Sequence, residues 1–236
     1  MPNLLKSTKE ELLAYLLGFI TENKRNKFEK IIKYRTRYLT VVLEDIYQPH
    51  NASAVLRTCD CFGIQDVHII ENKNKYDVNP DVALGSSKWL TMIKHNENEE
   101  NTIETFNKLK NQGYKIVATS PHKDQFMLDE LPLDQKTALV FGTELKGLSD
   151  VALENSDYFV KIPMYGFTES FNISVSAALS LHYLTEKLRK SEINWQLPED
   201  EILDIKLDWV RNVIKHPDLI EKDFFRKKNF ELPLPQ

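Results

Sequence analysis

Three short segments of the chain combine residue types that could bind and act on a polar ligand. They read PHNASAVLRTCDCFG at 49–63, LVFGTELKGLS at 139–149 and IPMYGFTESFNISVS at 162–176. The third places an apolar strand end, a glycine-containing loop and a helix start rich in Ser and Asn in succession. Such a loop offers backbone N–H and C=O groups to a ligand, while the helix N-terminus behind it favours negative charge. The sequence therefore indicates a ligand site built from loops at strand ends.

The first segment predicts a helix that carries an arginine towards a substrate. If the helix begins near Asn51, Arg57 lies just under two turns further along, close to the same face. Asn51 would cap or brace the local backbone, and Arg57 would project from the helix. The alternative is an ordinary N-cap asparagine followed by a surface arginine in an ion pair. This segment alone does not decide between the two interpretations.

Two glycines and a glutamate characterise the second segment. Gly142 and Gly147 permit backbone conformations and a close ligand approach that a β-carbon would forbid. Glu144 follows a buried strand in a tight loop, where its carboxylate could accept hydrogen bonds. The alternative is an ordinary turn between a strand and a helix, with a charge that faces solvent.

Strands that alternate with helices must position these segments. The run of β-branched and apolar residues at 38–43 is typical of a buried strand. Further strands are predicted at 67–70, 115–119, 138–142 and 158–162, with helices at 51–62, 102–110 and 172–190 and a short one capped by Ser149. This alternation favours an α/β domain with a mostly parallel sheet.

Helical patterns also occupy both ends of the chain. Leucines at helical spacing follow Ser7 and Thr8, each of which fits a capping box. A second, basic helix follows, and one terminal helix is predicted beyond Pro198. The basic residues of the N-terminal part could bind an RNA backbone or could be a solvated helix face, and composition alone does not distinguish these.

Composition restricts the class of protein. The chain has 236 residues, a net charge of −4 and 42% hydrophobic residues, which fits a soluble globular protein. We find no signal-peptide layout and no apolar run that could span a bilayer, so we expect a cytoplasmic protein without a membrane partner. Neither the six histidines nor the two cysteines show metal-ligand spacing, and a dinucleotide fingerprint is absent.

Taken together, the three segments resemble the motifs of the TrmH family of SPOUT-class RNA 2′-O-methyltransferases. Segment 84–89, LGSSKW, resembles a further family motif and points to the branch that methylates guanosine 18 of tRNA. Phe171 stands where the family usually has leucine, and Ser176 where it usually has alanine. The resemblance covers 38–190, which implies a methyltransferase domain there, with helical extensions at 1–37 and 191–236.

The resemblance implies a fold, a cofactor and an assembly that spacing alone could not give. It implies a parallel sheet with a deep C-terminal trefoil knot, a homodimer with its site at the subunit interface, tRNA as substrate and no metal. S-adenosylmethionine would be the cofactor. By resemblance its binding residues would be Thr119, Gly142, Ile162, Met164 and Phe171, and the catalytic residues Arg57, Asn51, Glu144, Ser170 and Asn172.

The resemblance to the family implies that Arg57 accepts the proton of the ribose hydroxyl. Because a guanidinium keeps its proton in proteins, stabilisation of the developing oxyanion is the safer interpretation. The N-terminal basic segment would bind the tRNA backbone, and its candidate residues are Lys24, Arg25, Lys27, Lys30 and Arg35.

Three other functions remain open at this point. A related enzyme could act on ribosomal RNA or on another tRNA nucleotide. A catalytically silent RNA-binding protein could keep the same fold. A small-molecule α/β enzyme is the third alternative, and activity without RNA would reveal it.

Overall fold

The computed structural model describes residues 4–75, 85–121, 123, 125–143 and 146–228. They fall into two compact units, one of Met1–Arg35 with Leu197–Gln236 and one of Thr36–Gln196. The described α-helices are α1 (Lys6–Leu17), α2 (Glu22–Ile32), α3 (Pro49–Phe62), α4 (Thr102–Asn111), α5 (Asp150–Asn155), α6 (Ile173–Arg189), α7 (Glu199–Arg211) and α8 (Pro217–Lys227). The segments with candidate chemistry all belong to the unit Thr36–Gln196.

Seven strands of that unit form one sheet, and all six pairings between neighbouring strands are parallel. In chain order they are β1 (Leu39–Glu44), β2 (Asp66–Ile70), β3 (Thr91–His95), β4 (Tyr114–Thr119), β5 (Phe126–Met127), β6 (Lys136–Phe141) and β7 (Tyr158–Lys161). Across the sheet the order is β3-β2-β1-β6-β4-β7-β5. The predicted α/β architecture with a mostly parallel sheet is thus confirmed.

The sequence pattern does not predict β3 or β5, which are the two edge strands of the sheet. Edge strands pair on one side only, and the side chains of these two are only partly buried or exposed. Without a buried apolar run, neither strand has the residue pattern by which the central strands are recognised.

Helices cover both faces of the sheet. Val41 and Leu139 contribute to the core on the side of α3 and α6, which pack against each other. Their neighbours Val42 and Val140 point to the other side and join a second core with Phe106 of α4. This alternation explains why the central strands read as continuous apolar runs, since both of their faces are buried.

The unit of Met1–Arg35 with Leu197–Gln236 is helical in its described part. Contacts join α1 to α7 and α8, and α2 to α7. The predicted capping box of α1 is not formed, because α1 begins at Lys6 and no side chain caps it. The single predicted terminal helix is two helices, since His216 adopts a left-handed conformation and Pro217 starts α8. Among the described residues, no helix is both long and apolar enough to cross a membrane.

A pair of histidines joins β2 to β3. The rings of His68 and His95 stack, and a hydrogen bond of 3.0 Å links His68 Nδ1 to His95 Nε2. Burial, and secondly the neighbouring His95, lower the pKa of His68 from 6.5 to about 4. Burial likewise lowers the pKa of His95. The folded chain therefore holds His68 in its neutral form.

This pair predicts acid sensitivity. The unfolded chain takes up a proton at His68 near pH 6.5, but the folded chain does so only near pH 4. The free energy of unfolding should be unaffected by His68 above pH 6.5 and should fall by about 2 kcal/mol between pH 7 and pH 5. In urea unfolding at both pH values, His68→Gln should lack this part of the loss, whereas the exposed-site control His50→Gln should keep it. Equal pH dependence in wild type and His68→Gln would contradict the assignment.

Candidate functional site

A cavity of about 290 Å³ opens at the carboxyl ends of β4, β6 and β7. Parallel strands bring these ends to one edge of the sheet, where ligands of open α/β sheets bind. Lys123, Lys146 and Lys161 contribute to the lining, and no acidic residue does so in the part of the chain that the structure describes. The cavity therefore combines an apolar interior, including Leu148 and Leu153, with a rim that favours anionic groups.

All five predicted cofactor residues line this one cavity: Thr119, Gly142, Ile162, Met164 and Phe171. Ser170, a predicted catalytic residue, lines it as well. The Thr119 hydroxyl donates to the carbonyl oxygen of Val140 at 2.8 Å, which fixes the end of β4 against β6. Leu153 and Ser180 also line the cavity, and the sequence did not single them out because only the folded chain brings α5 and α6 to the cavity. Lys146 lines it too, from within the second segment.

The loop after β6 is unusually tight. The backbones of Thr143 and Gly147 exchange two hydrogen bonds of 2.9 and 3.0 Å. Gly147 has a φ of +68°, and a β-carbon on Gly142 would lie 2.2 Å from the Gly147 carbonyl oxygen. The two glycines that the sequence singled out are thus required by the backbone itself. Glu144, the predicted catalytic residue between them, lies outside the described residues, as does Leu84 of the further motif.

Asn172 connects the third segment to the first. Its Oδ1 caps α6 by accepting from the Ser174 backbone N–H at 2.9 Å, and its Nδ2 donates to Asn51 Oδ1 at 3.2 Å. The start of α3 differs from the prediction, because the helix begins at Pro49 and Gln48 is its N-cap. Asn51 therefore does not cap α3. Instead, its side chain bridges Asn172 and Gln48.

Arg57 projects from α3 into solvent. No ion pair or hydrogen bond joins it to another residue in the described ranges, so the alternative of a surface ion pair is not observed. It does not line the cavity directly. Its helix is nevertheless held at the cavity, because Asn51 of α3 bonds to Asn172, which directly follows the lining residue Phe171.

Glu44 is a buried residue of this edge that the sequence analysis missed. It ends β1, is 2% exposed, and accepts hydrogen bonds from Thr102 and Ser149. The available signal was a carboxylate directly after a continuous apolar strand, where a charge needs partners. Ser149 caps α5 as predicted, through a bond from the Ala152 N–H.

The predicted RNA-binding residues divide into two groups. Arg25, Lys27 and Lys30 are exposed and Lys24 is partly buried, all on or beside the exposed side of α2. The acidic Glu29 of this helix pairs with Lys206, which leaves the cationic character of that side in excess. Arg35 is different, since it is 2% exposed and its guanidinium lies over the Trp209 ring. A buried guanidinium is not available to a phosphate, so the prediction for Arg35 is withdrawn.

A further group of basic residues near the C-terminus, Arg226, Lys227 and Lys228, is largely engaged within its own unit. Arg226 and Lys227 pair with Asp223, and Lys228 pairs with Glu11. The hydrogen bonds from Lys227 and Tyr15 lower the pKa of Asp223 to about 2. This cluster therefore contributes less free positive charge than its composition indicates.

Exposed apolar side chains continue from the cavity along α6. Phe171, Val175, Leu179 and Tyr183 follow one another four residues apart, and each is about 40% exposed. Spacing of four residues places Val175, Leu179 and Tyr183 on one side of the helix, and Phe171 lies just before its N-cap. Phe167, in the loop before α6, is fully exposed. Isolated apolar residues on a surface are common, whereas these side chains form a continuous stripe.

The fold and the site define a parallel α/β protein with a ligand cavity at the carboxyl edge of its sheet. Residues 38–182 match the SpoU rRNA Methylase family, and the chain belongs to that family. The predicted resemblance is thereby confirmed.

Individual relatives extend the match beyond this domain. The chain is 46% identical over 209 residues to a tRNA (guanosine(18)-2′-O)-methyltransferase of Borreliella burgdorferi, covering 89% of this chain and 94% of the relative. It is 33% identical to the Thermus thermophilus enzyme of the same name, covering 81% and 97%. The solved A. aeolicus TrmH/SpoU tRNA modifying enzyme aligns with a TM-score of 0.73 and 30% identity, covering 82% of this chain and 98% of that one.

The tight loop yields a stability prediction. Gly142→Ala would force the new β-carbon against the Gly147 backbone, so we expect a loss of about 1–3 kcal/mol in the free energy of unfolding. Gly166→Ala is the matched control, because the nearest atom to its β-carbon would lie 4.0 Å away. Urea unfolding measures both variants. Equal stability of Gly142→Ala and wild type would show that the loop has another conformation.

Proposed function

We propose that this protein transfers the methyl group of S-adenosylmethionine to the ribose 2′-hydroxyl of guanosine 18 in tRNA. The observation that carries the proposal is the meeting of five predicted cofactor residues in one cavity, tied through Asn172 to the helix of Arg57. The two relatives named for this reaction, which align with most of the chain, support the choice of nucleotide.

The cavity fits the cofactor in size and chemistry. Its volume of about 290 Å³ is near the lower end of the range for small-ligand sites. Leu148, Ile162 and Phe171 offer apolar contacts for a purine, and the lysines at the rim suit the carboxylate of the amino-acid part. The cofactor supplies a methyl group already activated on a sulfonium, so the protein must mainly position the hydroxyl.

Arg57 is proposed to stabilise the oxyanion that develops on the ribose and to hold a neighbouring phosphate. Its exposed guanidinium offers five N–H donors to these groups. Through their hydrogen bond, Asn51 and Asn172 would hold α3 in a fixed position next to the cavity. Ser170 and Glu144 would support the substrate side of the site.

We further propose that residues 38–190 include the deep trefoil knot of the family. The order of the strands supports this, since β6 inserts between β1 and β4 although β4 and β5 precede it in the chain. The loops after β6 and β7, which line the cavity, would then belong to the knotted region.

The stripe of Phe171, Val175, Leu179 and Tyr183 is the surface we propose for a homodimer. It begins at the cavity, which agrees with an active site that lies at a subunit interface. Burial of such a stripe against its copy would remove apolar area from water. For the tRNA backbone we propose the exposed side of α2, with Lys24, Arg25, Lys27 and Lys30.

The decisive experiment incubates purified protein with labelled S-adenosylmethionine and an unmethylated tRNA transcript, and maps the methylated nucleotide. We expect the label on the ribose of guanosine 18. Label at another nucleotide would keep the chemistry and reject the proposed target. Transfer only to ribosomal RNA would establish the second candidate, which the family's description as rRNA methylase favours. Absence of transfer to either RNA would indicate a silent RNA-binding protein.

The proposed role of Arg57 predicts that Arg57→Lys loses at least about a hundredfold in kcat, because a point charge cannot replace the planar donors. Cofactor affinity, measured by calorimetry, should stay within about twofold, since Arg57 does not line the cavity. Arg226→Lys, whose exposed guanidinium pairs with Asp223, serves as the control and should keep full activity. Near-normal turnover by Arg57→Lys would refute both proposed roles of the arginine.

A further inference from the structure

We propose that Glu44 is a positioning residue of the cofactor cavity, acting through Ser149 on the neighbouring lining residues Gly147 and Leu148. The inference rests on the proposed function, because it assigns the cavity to S-adenosylmethionine. Glu44 does not line the cavity, and it lies outside the three segments 49–63, 139–149 and 162–176.

The hydrogen bonds of Glu44 join the starts of two helices at one carboxylate. Oε1 accepts from the hydroxyls of Thr102 and Ser149, each at 2.7 Å. Oε2 accepts from the backbone N–H of Ser149 at 2.9 Å. Thr102 begins α4, and Ser149 begins α5 as its N-cap. One buried carboxylate at the end of β1 thus holds the starts of two helices.

Both hydroxyls depend on this carboxylate as an acceptor. The Ser149 oxygen already accepts from the Ala152 N–H at 3.1 Å, and the Thr102 oxygen accepts from Asn72 Nδ2 at 3.0 Å. Each hydroxyl proton therefore points to Glu44 Oε1. Thr102 is 2% exposed, so a change at Glu44 leaves its buried hydroxyl without an acceptor, and it releases the exposed Ser149 from the carboxylate.

Ser149 transmits this restraint to the cavity. It directly follows Leu148, and both Gly147 and Leu148 line the cavity. The other end of the loop is fixed where β6 ends and Gly142 touches the Gly147 backbone. Held through Ser149, Gly147 and Leu148 present their backbone to a ligand in a fixed position, which lowers the entropy lost on binding.

The test compares variants by calorimetric affinity for S-adenosylmethionine, by affinity for tRNA and by melting temperature. Glu44→Gln keeps the shape but turns an amide N–H towards one of the three donors, and should weaken cofactor binding roughly tenfold. Affinity for tRNA should change less than about twofold, since the loop and not the RNA surface is disturbed. Binding assays are performed well below the melting temperature of each variant.

Glu71→Gln is the matched control. Glu71 is another buried carboxylate at the same edge of the sheet, and it accepts from Lys94 and Asn96 rather than from a cavity loop. Its replacement should leave cofactor affinity within about twofold of wild type. An equal loss in Glu71→Gln and Glu44→Gln would overturn the proposal, because it would indicate a general effect of buried charge.

Ser149→Ala provides the second arm and decides the question even if Glu44→Gln does not fold. It removes the hydroxyl bond to Glu44 and should weaken cofactor binding in the same direction. Combined with Glu44→Gln, it should add less than its separate effect, since both act on one loop. Unchanged cofactor affinity in these variants would overturn the role of Glu44. Wild-type protein that fails to bind the cofactor would instead overturn the proposed function on which the inference rests.

Discussion

Parallel pairing of β6 with β1 on one side and β4 on the other is the constraint on which the rest of the structure depends. It brings the carboxyl ends of the central strands to one edge, and with them every loop that carries a candidate residue. Backbone groups in those loops have no sheet partners, so they must be satisfied by side chains or by each other. The tight loop after β6 and the cap by Asn172 are both solutions to this requirement.

The need to satisfy the backbone groups of these loops also determines the shape of the cavity. The side chains that satisfy the loop backbones, Glu44, Ser149 and Asn172, also set the positions of the cavity walls. A cavity whose walls are fixed in advance can bind a flexible cofactor without ordering loops on each encounter. Arg57 is exposed on α3, and the hydrogen bond between Asn51 and Asn172 joins this helix to the cavity wall. Fixed walls suit a reaction in which a methyl group moves between two held partners.

The two units of the chain differ in the surface that each contributes. The unit Thr36–Gln196 buries an apolar core on both faces of its sheet and holds the cavity. The helical unit contributes the cationic side of α2, whose one central acidic residue is neutralised by Lys206. A net charge of −4 over the whole chain conceals this local excess of positive charge.

The sequence by itself determined the central strands, the main helices of the α/β unit and the family, because buried apolar runs and glycine-rich motifs are local signals. It also selected the five residues that meet in the cavity. Tertiary structure alone decided the edge strands β3 and β5, the start of α3 at Pro49 and the burial of Arg35. It also decided the bonds from Glu44 to Thr102 and Ser149, which lie 58 and 105 residues away along the chain. Such contacts arise from packing between distant elements, and no local pattern of residues encodes them.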